Sequence, residues 1–116
     1  MANNIAFQAM GNTVAVLVNG AANVQSNVFT ITATSPVNQY SVVNADPNNN
    51  AYIWINPTNN FNVALPETVS NLVHALPAYG YRVVTGPQCG PNNAVYARVI
   101  GEGANACVYV QPGEGL

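Results

Sequence analysis

Lysine is absent from this chain of 116 residues. With two arginines and four acids, only six residues carry a formal charge: Arg82, Arg98, Asp46, Glu67, Glu102 and Glu114. A soluble globular domain ordinarily has roughly a quarter of its residues charged. The shortage excludes the usual route to nucleic-acid binding, which needs several Lys or Arg facing phosphates. It equally excludes a polybasic membrane patch. No apolar run approaches the roughly 18 residues that span a bilayer; the longest, Thr13 to Val18, is of strand length. The opening Met1-Ala2-Asn3-Asn4 lacks the basic region of a secretion signal, and the expectation is synthesis in a cytoplasm. There is one histidine, His74, and two cysteines, Cys89 and Cys107. That inventory matches no zinc pattern, and two reduced thiols are the reading that suits a cytosolic origin. No glycosylation sequon occurs, since Asn56-Pro57-Thr58 is excluded by its proline.

What is present instead is asparagine, at 19 positions, with 8 prolines and 9 glycines spread along the chain. Charge keeps monomers apart in solution, and a chain this neutral has little to oppose association. Amides hydrogen-bond without the desolvation cost of burying ions. These features point to a protein packed against copies of itself or a partner, with a structural role and no enzymatic one.

Short β-branched runs alternate with turn chemistry. Thr13 to Val18 precedes Asn19-Gly20, a two-residue turn signal. In Asn27 to Thr34, Phe29, Ile31 and Ala33 share one face and Val28, Thr30, Thr32 and Thr34 the other, as in a half-buried strand. Further runs are Tyr40 to Asn44, Ala51 to Asn56, Tyr81 to Thr85 ended by Gly86-Pro87, Ala94 to Ile100, and Ala106 to Gln111 stopped by Pro112-Gly113. Pro66 to Val73 has the composition of one helical turn, within a segment that equally suits a long loop with an embedded strand. Seven or eight strands spaced this way predict an all-β, antiparallel sandwich or barrel. The expected core is Val16, Phe29, Ile31, Val42, Ile53, Ile55, Val83, Val95, Val99 and Val108. Residues 12–116 form one domain, and 1–11 read as an N-terminal arm whose Ile5, Phe7 and Met10 are apolar without a strong local fold signal, suited to docking on a partner.

Candidate chemistry is thin. Ser70 and His74 have the spacing of a helix face but no acid to orient the imidazole. Asp46 and Glu67 lack the supporting cluster of a glycosidase pair, so a small β-sandwich lyase or hydrolase is the weakest reading. Asp46-Pro47-Asn48-Asn49-Asn50 offers oxygens but only one acid, too few for an EF-hand-like calcium loop. No cofactor or metal site emerges. Arg82 and Arg98 read as edge charges that discourage sheet addition or as partners in a subunit contact. Tyr52, Trp54 and Asn56 alternate with Ile53 and Ile55, so both faces of their strand carry bulk. This suits a strand covered on both faces or lying under another subunit. The tyrosines, with so many amides, also suit a carbohydrate surface.

Met1-Ala2-Asn3-Asn4-Ile5-Ala6-Phe7-Gln8-Ala9-Met10-Gly11, Thr85-Gly86-Pro87-Gln88 and Val108-Tyr109-Val110-Gln111-Pro112-Gly113-Glu114-Gly115 are similar to segments of small virion structural proteins of short-tailed double-stranded DNA phages. The resemblance in length and layout spans the chain; Phe61 to Pro77 departs from it. It implies a jelly-roll-like capsid decoration, or cement, protein on the outer capsid surface. Its partners would be the major capsid protein and itself, as a dimer first and a trimer second, without catalytic residues. The alternative is a tail-associated module that binds a host-surface glycan.

Overall fold

The computed structural model describes residues 8–17, 25–59, 73–103 and 106–114. They form nine strands: β1 (Gln8–Ala9), β2 (Val14–Leu17), β3 (Phe29–Ile31), β4 (Val37–Asn44), β5 (Ala51–Asn56), β6 (His74–Leu76), β7 (Tyr81–Cys89), β8 (Val95–Gly101) and β9 (Cys107–Glu114). Among the described residues there is no helix, so the all-β sandwich expected from the run-and-turn spacing is what the chain forms. Of the expected helical turn, Pro66 to Val73, all but Val73 lies outside the described residues. Among the described residues of the irregular segment around it, β6 is the one strand.

All pairings are antiparallel, and they nest. β5 pairs β6, β4 pairs β7, β3 pairs β8 and β2 pairs β9. The chain from β2 to β9 is therefore one long two-armed ribbon closing at β5–β6. Folding that ribbon on itself adds β4 to β9 and β5 to β8. Two sheets result. One runs β1-β9-β4-β7, with β2 also on β9; the other runs β3-β8-β5-β6.

Period-2 alternation supplies the core between the sheets. Val16, Ile31, Val42, Ile53, Val95, Val99 and Val108 are fully buried, Ile55 nearly so, and Phe29 packs against them. Val83 differs from expectation. Register sets Val84 beside core Tyr40 and Val83 beside half-exposed Ser41, so Val84 takes the inward place. Adjacent valines leave that parity undetermined until the pairing is known.

Two strands run past their expected stops. β7 continues through Gly86-Pro87 to Cys89 because it is an edge strand, where a missing N–H costs no ladder bond. β9 continues through Pro112. Its carbonyl accepts the Met10 N–H at 2.9 Å, so its missing N–H points to the side where the neighbour changes from β2 to β1. Residues 8–11 of the expected arm are thus built into the sandwich. Met10 packs against the core, and its carbonyl accepts from Thr34 N at 2.7 Å.

Candidate functional site

Two neighbouring features distinguish the surface: a loop platform at one end of the sandwich, and the outer face of the five-stranded sheet that leads away from it.

The platform is organised by Asn44, the last residue of β4, which is fully buried. Its Nδ2 donates to the carbonyls of Asn49 and Pro77, each at 3.0 Å, with a longer approach of 3.4 Å to Leu76 O. Its Oδ1 accepts from Asp46 N at 3.0 Å. One amide therefore ties β4 to the β4–β5 loop and the β6–β7 turn. Buried polar groups demand such pairing. The backbone repeats the links: Asn44 N donates to Gly80 O at 2.8 Å and Tyr79 N to Asp46 O at 3.1 Å. The β8–β9 turn joins through Glu102 N to Asn50 O at 3.0 Å. Gly103 lies so close that a Cβ there would be 2.5 Å from Asn49 Nδ2.

Asp46 is surrounded by donors. Its carboxylate accepts from Asn48 N at 2.9 Å, Asn49 N at 3.2 Å and Asn49 Nδ2 at 3.2 Å. These bonds hold its pKa below the usual carboxylate value, the Asn48 N–H foremost. Its oxygens thus cap a turn, and no cluster of three or more His, Cys, Asp or Glu occurs among the described residues. At the tip of the platform stands Tyr79, with φ of 56° and 69% of its surface exposed. A bulky residue in the left-handed region is unusual.

The outer face follows from register. Val43 lies opposite Tyr81 on one side and Tyr109 on the other, and Tyr109 lies opposite Ala15. The buried neighbours Val42, Val108, Val110 and Val16 point inward, so this row points out. Cys107 and Leu17 are paired in the adjoining row. The Cys107 sulfur lies close enough to Tyr109 to push its phenol pKa up. Four large hydrophobic side chains are exposed among the described residues. Three of them, Leu17, Tyr81 and Tyr109, are on this face, and the fourth is Tyr79, in the turn entering β7. Comparisons with known protein families, with characterised proteins and with solved structures found no match to this chain.

The residues singled out from the sequence are dispersed. Ile5 and Phe7 lie outside the described residues, as do Glu67 and Ser70. Trp54 is buried to 7% exposure yet stands outside the core cluster, because it points to the outer side of the four-stranded sheet. Its ring is accordingly not an open contact surface. Tyr52, half-buried on the same side, donates to Glu102 Oε2 at 2.9 Å. Arg98 is on the central strand β8, opposite Trp54, so the edge-charge reading does not apply to it. Arg82 does lie on edge strand β7. It points toward the sheet interface and reaches the edge of the other sheet, with Nη1 donating to Ala75 O at 3.4 Å.

Burial, and after it the charge of Arg82, lower the pKa of His74, which favours its neutral imidazole. His74 borders a cleft of about 480 Å³ between β5, β6 and β7, with Ile55, Asn56, Val73, Thr85 and Pro87. Among the described residues no carboxylate lines that cleft; Glu67 and Ser70 lie outside them. Both thiols are free; Cys89 is buried and its Sγ approaches Ile31 O at 3.3 Å.

Asn44 and Leu17 are not singled out by the sequence, and Tyr109 is so only as one of the aromatics that suit a sugar surface or a subunit contact. Its outward direction is legible, since Val108 and Val110 flank it and alternation turns it outward. The place of Asn44 is not, because one asparagine among 19 carries no mark of burial.

Proposed function

We propose that this protein is a capsid decoration, or cement, protein of a double-stranded DNA phage, made in the host cytoplasm and seated on the outer capsid surface. There it bridges major capsid protein subunits. The role is adhesive, with no catalysis and no cofactor. The observation that carries the reading is the uncharged outer face of the five-stranded sheet, with Leu17 51%, Tyr81 57% and Tyr109 43% exposed. Aromatic area of this kind is typical of interface cores, where charge is depleted.

The strand order supports a jelly-roll-like fold. A ribbon pairing β2 with β9, β3 with β8, β4 with β7 and β5 with β6, rolled into two four-stranded layers, is the eight-strand double Greek-key plan found in viral capsid and lectin domains. Fold alone does not assign function; the uncharged face and the resemblance of the chain termini to virion proteins favour the capsid over other jelly-roll roles. Weak contacts repeated over hundreds of copies on a closed lattice stabilise a shell by mass action.

The test is stoichiometry and position in purified virions. Hundreds of copies in the shell density support the reading, and retention from low to molar salt supports a neutral contact. About a dozen copies at a vertex, or none, refutes it. A dozen copies would favour the second reading, a tail-associated glycan-binding module. For that reading the specific observation is Tyr79, presented at positive φ on a pinned platform beside exposed Asn48 and Asn50.

A further inference from the structure

We infer that the outer face of the β1-β9-β4-β7 sheet binds a second copy of this chain, face to face about a twofold axis. The inference concerns the isolated protein in solution; it uses the same face that carries the capsid reading, so a shell contact through this face would replace the dimer contact.

Edge-to-edge pairing is the first alternative for a β-sandwich, and here the edges are blunted. β3 and β6 are three residues each and β1 is two. The one long edge, β7, carries Pro87, which cannot donate, and Arg82, whose charge points toward the sheet interface. Short strands, edge proline and inward-pointing charge are the devices by which proteins resist strand addition. Association is thereby directed from the edges to a face.

The face suits a copy of itself. It has no formal charge along the Tyr81–Val43–Tyr109–Ala15 row or at Leu17 and Cys107, so twofold stacking brings no like charges together. Twofold symmetry makes a contact isologous, so each Tyr109 or Leu17 meets the same patch it belongs to. The area sets the strength. Four strands about 4.8 Å apart and about 26 Å long give a face on the order of 400–500 Å². Two faces together bury about 800–1,000 Å², below the standard range of specific interfaces and at the upper limit of casual crystal contacts. The expected product is a reversible dimer, populated as concentration rises, that leaves the loop platform with Tyr79 free.

Sedimentation velocity across a wide concentration series reads this directly. The native chain should pass from monomer to dimer. Tyr109→Glu and Leu17→Glu, which place charge in the contact, should each raise the dissociation constant on the order of tenfold or more. Thr30→Glu, on the exposed outer side of the other sheet, should leave it unchanged. Circular dichroism and melting report whether each variant is folded. A readout that needs no variant is alkylation of Cys107 by iodoacetamide: labelling should slow as the dimer fills, with buried Cys89 unreactive throughout. A native chain monomeric at every concentration, or a dimer indifferent to both face variants, overturns the inference. A chain that stays monomeric yet binds purified shells through this face, with Tyr109→Glu abolishing that binding, also overturns it while leaving the decoration reading standing.

Discussion

Replacing Asn44 by alanine tests how the loop platform is held. The side chain makes three good hydrogen bonds, to Asn49 O, Pro77 O and Asp46 N, each at 3.0 Å. At a net contribution of about 1 kcal/mol each, their loss removes about 3 kcal/mol. Two carbonyls and one N–H are also left without partners. Each costs about 1–3 kcal/mol if it stays dry, but the surrounding loops are partly exposed and admit water, so only part of that applies. The expected destabilisation is about 3–5 kcal/mol, a large share of the roughly 5–15 kcal/mol that holds a domain of this size. Urea unfolding with the slope unchanged measures it. A loss below about 1 kcal/mol would show that the amide does not hold the loops. Asn44→Asp sharpens the test. It keeps the acceptor but turns an oxygen toward the Asn49 and Pro77 carbonyls, which disfavours the ionised form and raises the folded-state pKa. A raised folded pKa means the deficit grows as pH climbs above the unfolded carboxyl value of about 3.9. The variant should therefore be weakest near neutrality and recover toward acid. Equal stability to the native chain at pH 7 would refute the geometry.

Further outcomes follow from the same structure. Stability should be level near neutrality, fall in alkali because burial opposes ionisation of the Cys89 thiol and the Tyr40 phenol, and fall on acidification in two stages. His74, depressed below 6.5, loses its contribution first as pH falls through its folded value. Asp46, depressed below 3.8, loses its own later. In melting scans against pH, His74→Asn should remove only the upper stage. Tyr79→Gly should keep or raise the melting temperature, because φ of 56° suits glycine, whereas Tyr79→Val should lower it by several degrees; a marked drop with glycine would show that the ring packs. Gly101→Ala should be strongly destabilising, since its Cβ would come within 2.0 Å of Ala106 Cβ; near-native unfolding would refute that packing. Ile31→Ala should cost about 2–5 kcal/mol by denaturant unfolding, and a near-neutral result would mean that β3 faces the other way.

The fold class was legible because alternation and turn chemistry are local signals. Ile31 and Ala33 inside with Thr30, Thr32 and Thr34 exposed reproduces the pattern read from residues 27–34. What was not legible depends on partners distant in sequence. Pro87 and Pro112 read as stops, yet both sit inside strands, because one strand is an edge and the other has a gap beside it. β1 and β6 are too short to show a period. At the candidate site, Tyr52 and Trp54 were read from bulk alone. Bulk on the outer side of a strand signals a cover, and the low exposure of Trp54 shows that its ring is already buried.

The small number of charges has a consistent structural placement. Asp46 is consumed by a turn, Glu102 by Tyr52, and Arg82 by the carbonyl of Ala75 at the margin between the sheets. Among the described residues, register places none of them in the outward row Tyr81–Val43–Tyr109–Ala15. A monomer that needed solubility would place charge on its largest flat surface, where it deters association most. Among the described charges, Asp46 and Glu102 sit at turns, Arg82 on the edge strand β7, Arg98 on the inner strand β8 and Glu114 at the end of β9, while the row Tyr81–Val43–Tyr109–Ala15 carries none. That distribution matches a chain whose edges must stay single and whose face must be covered.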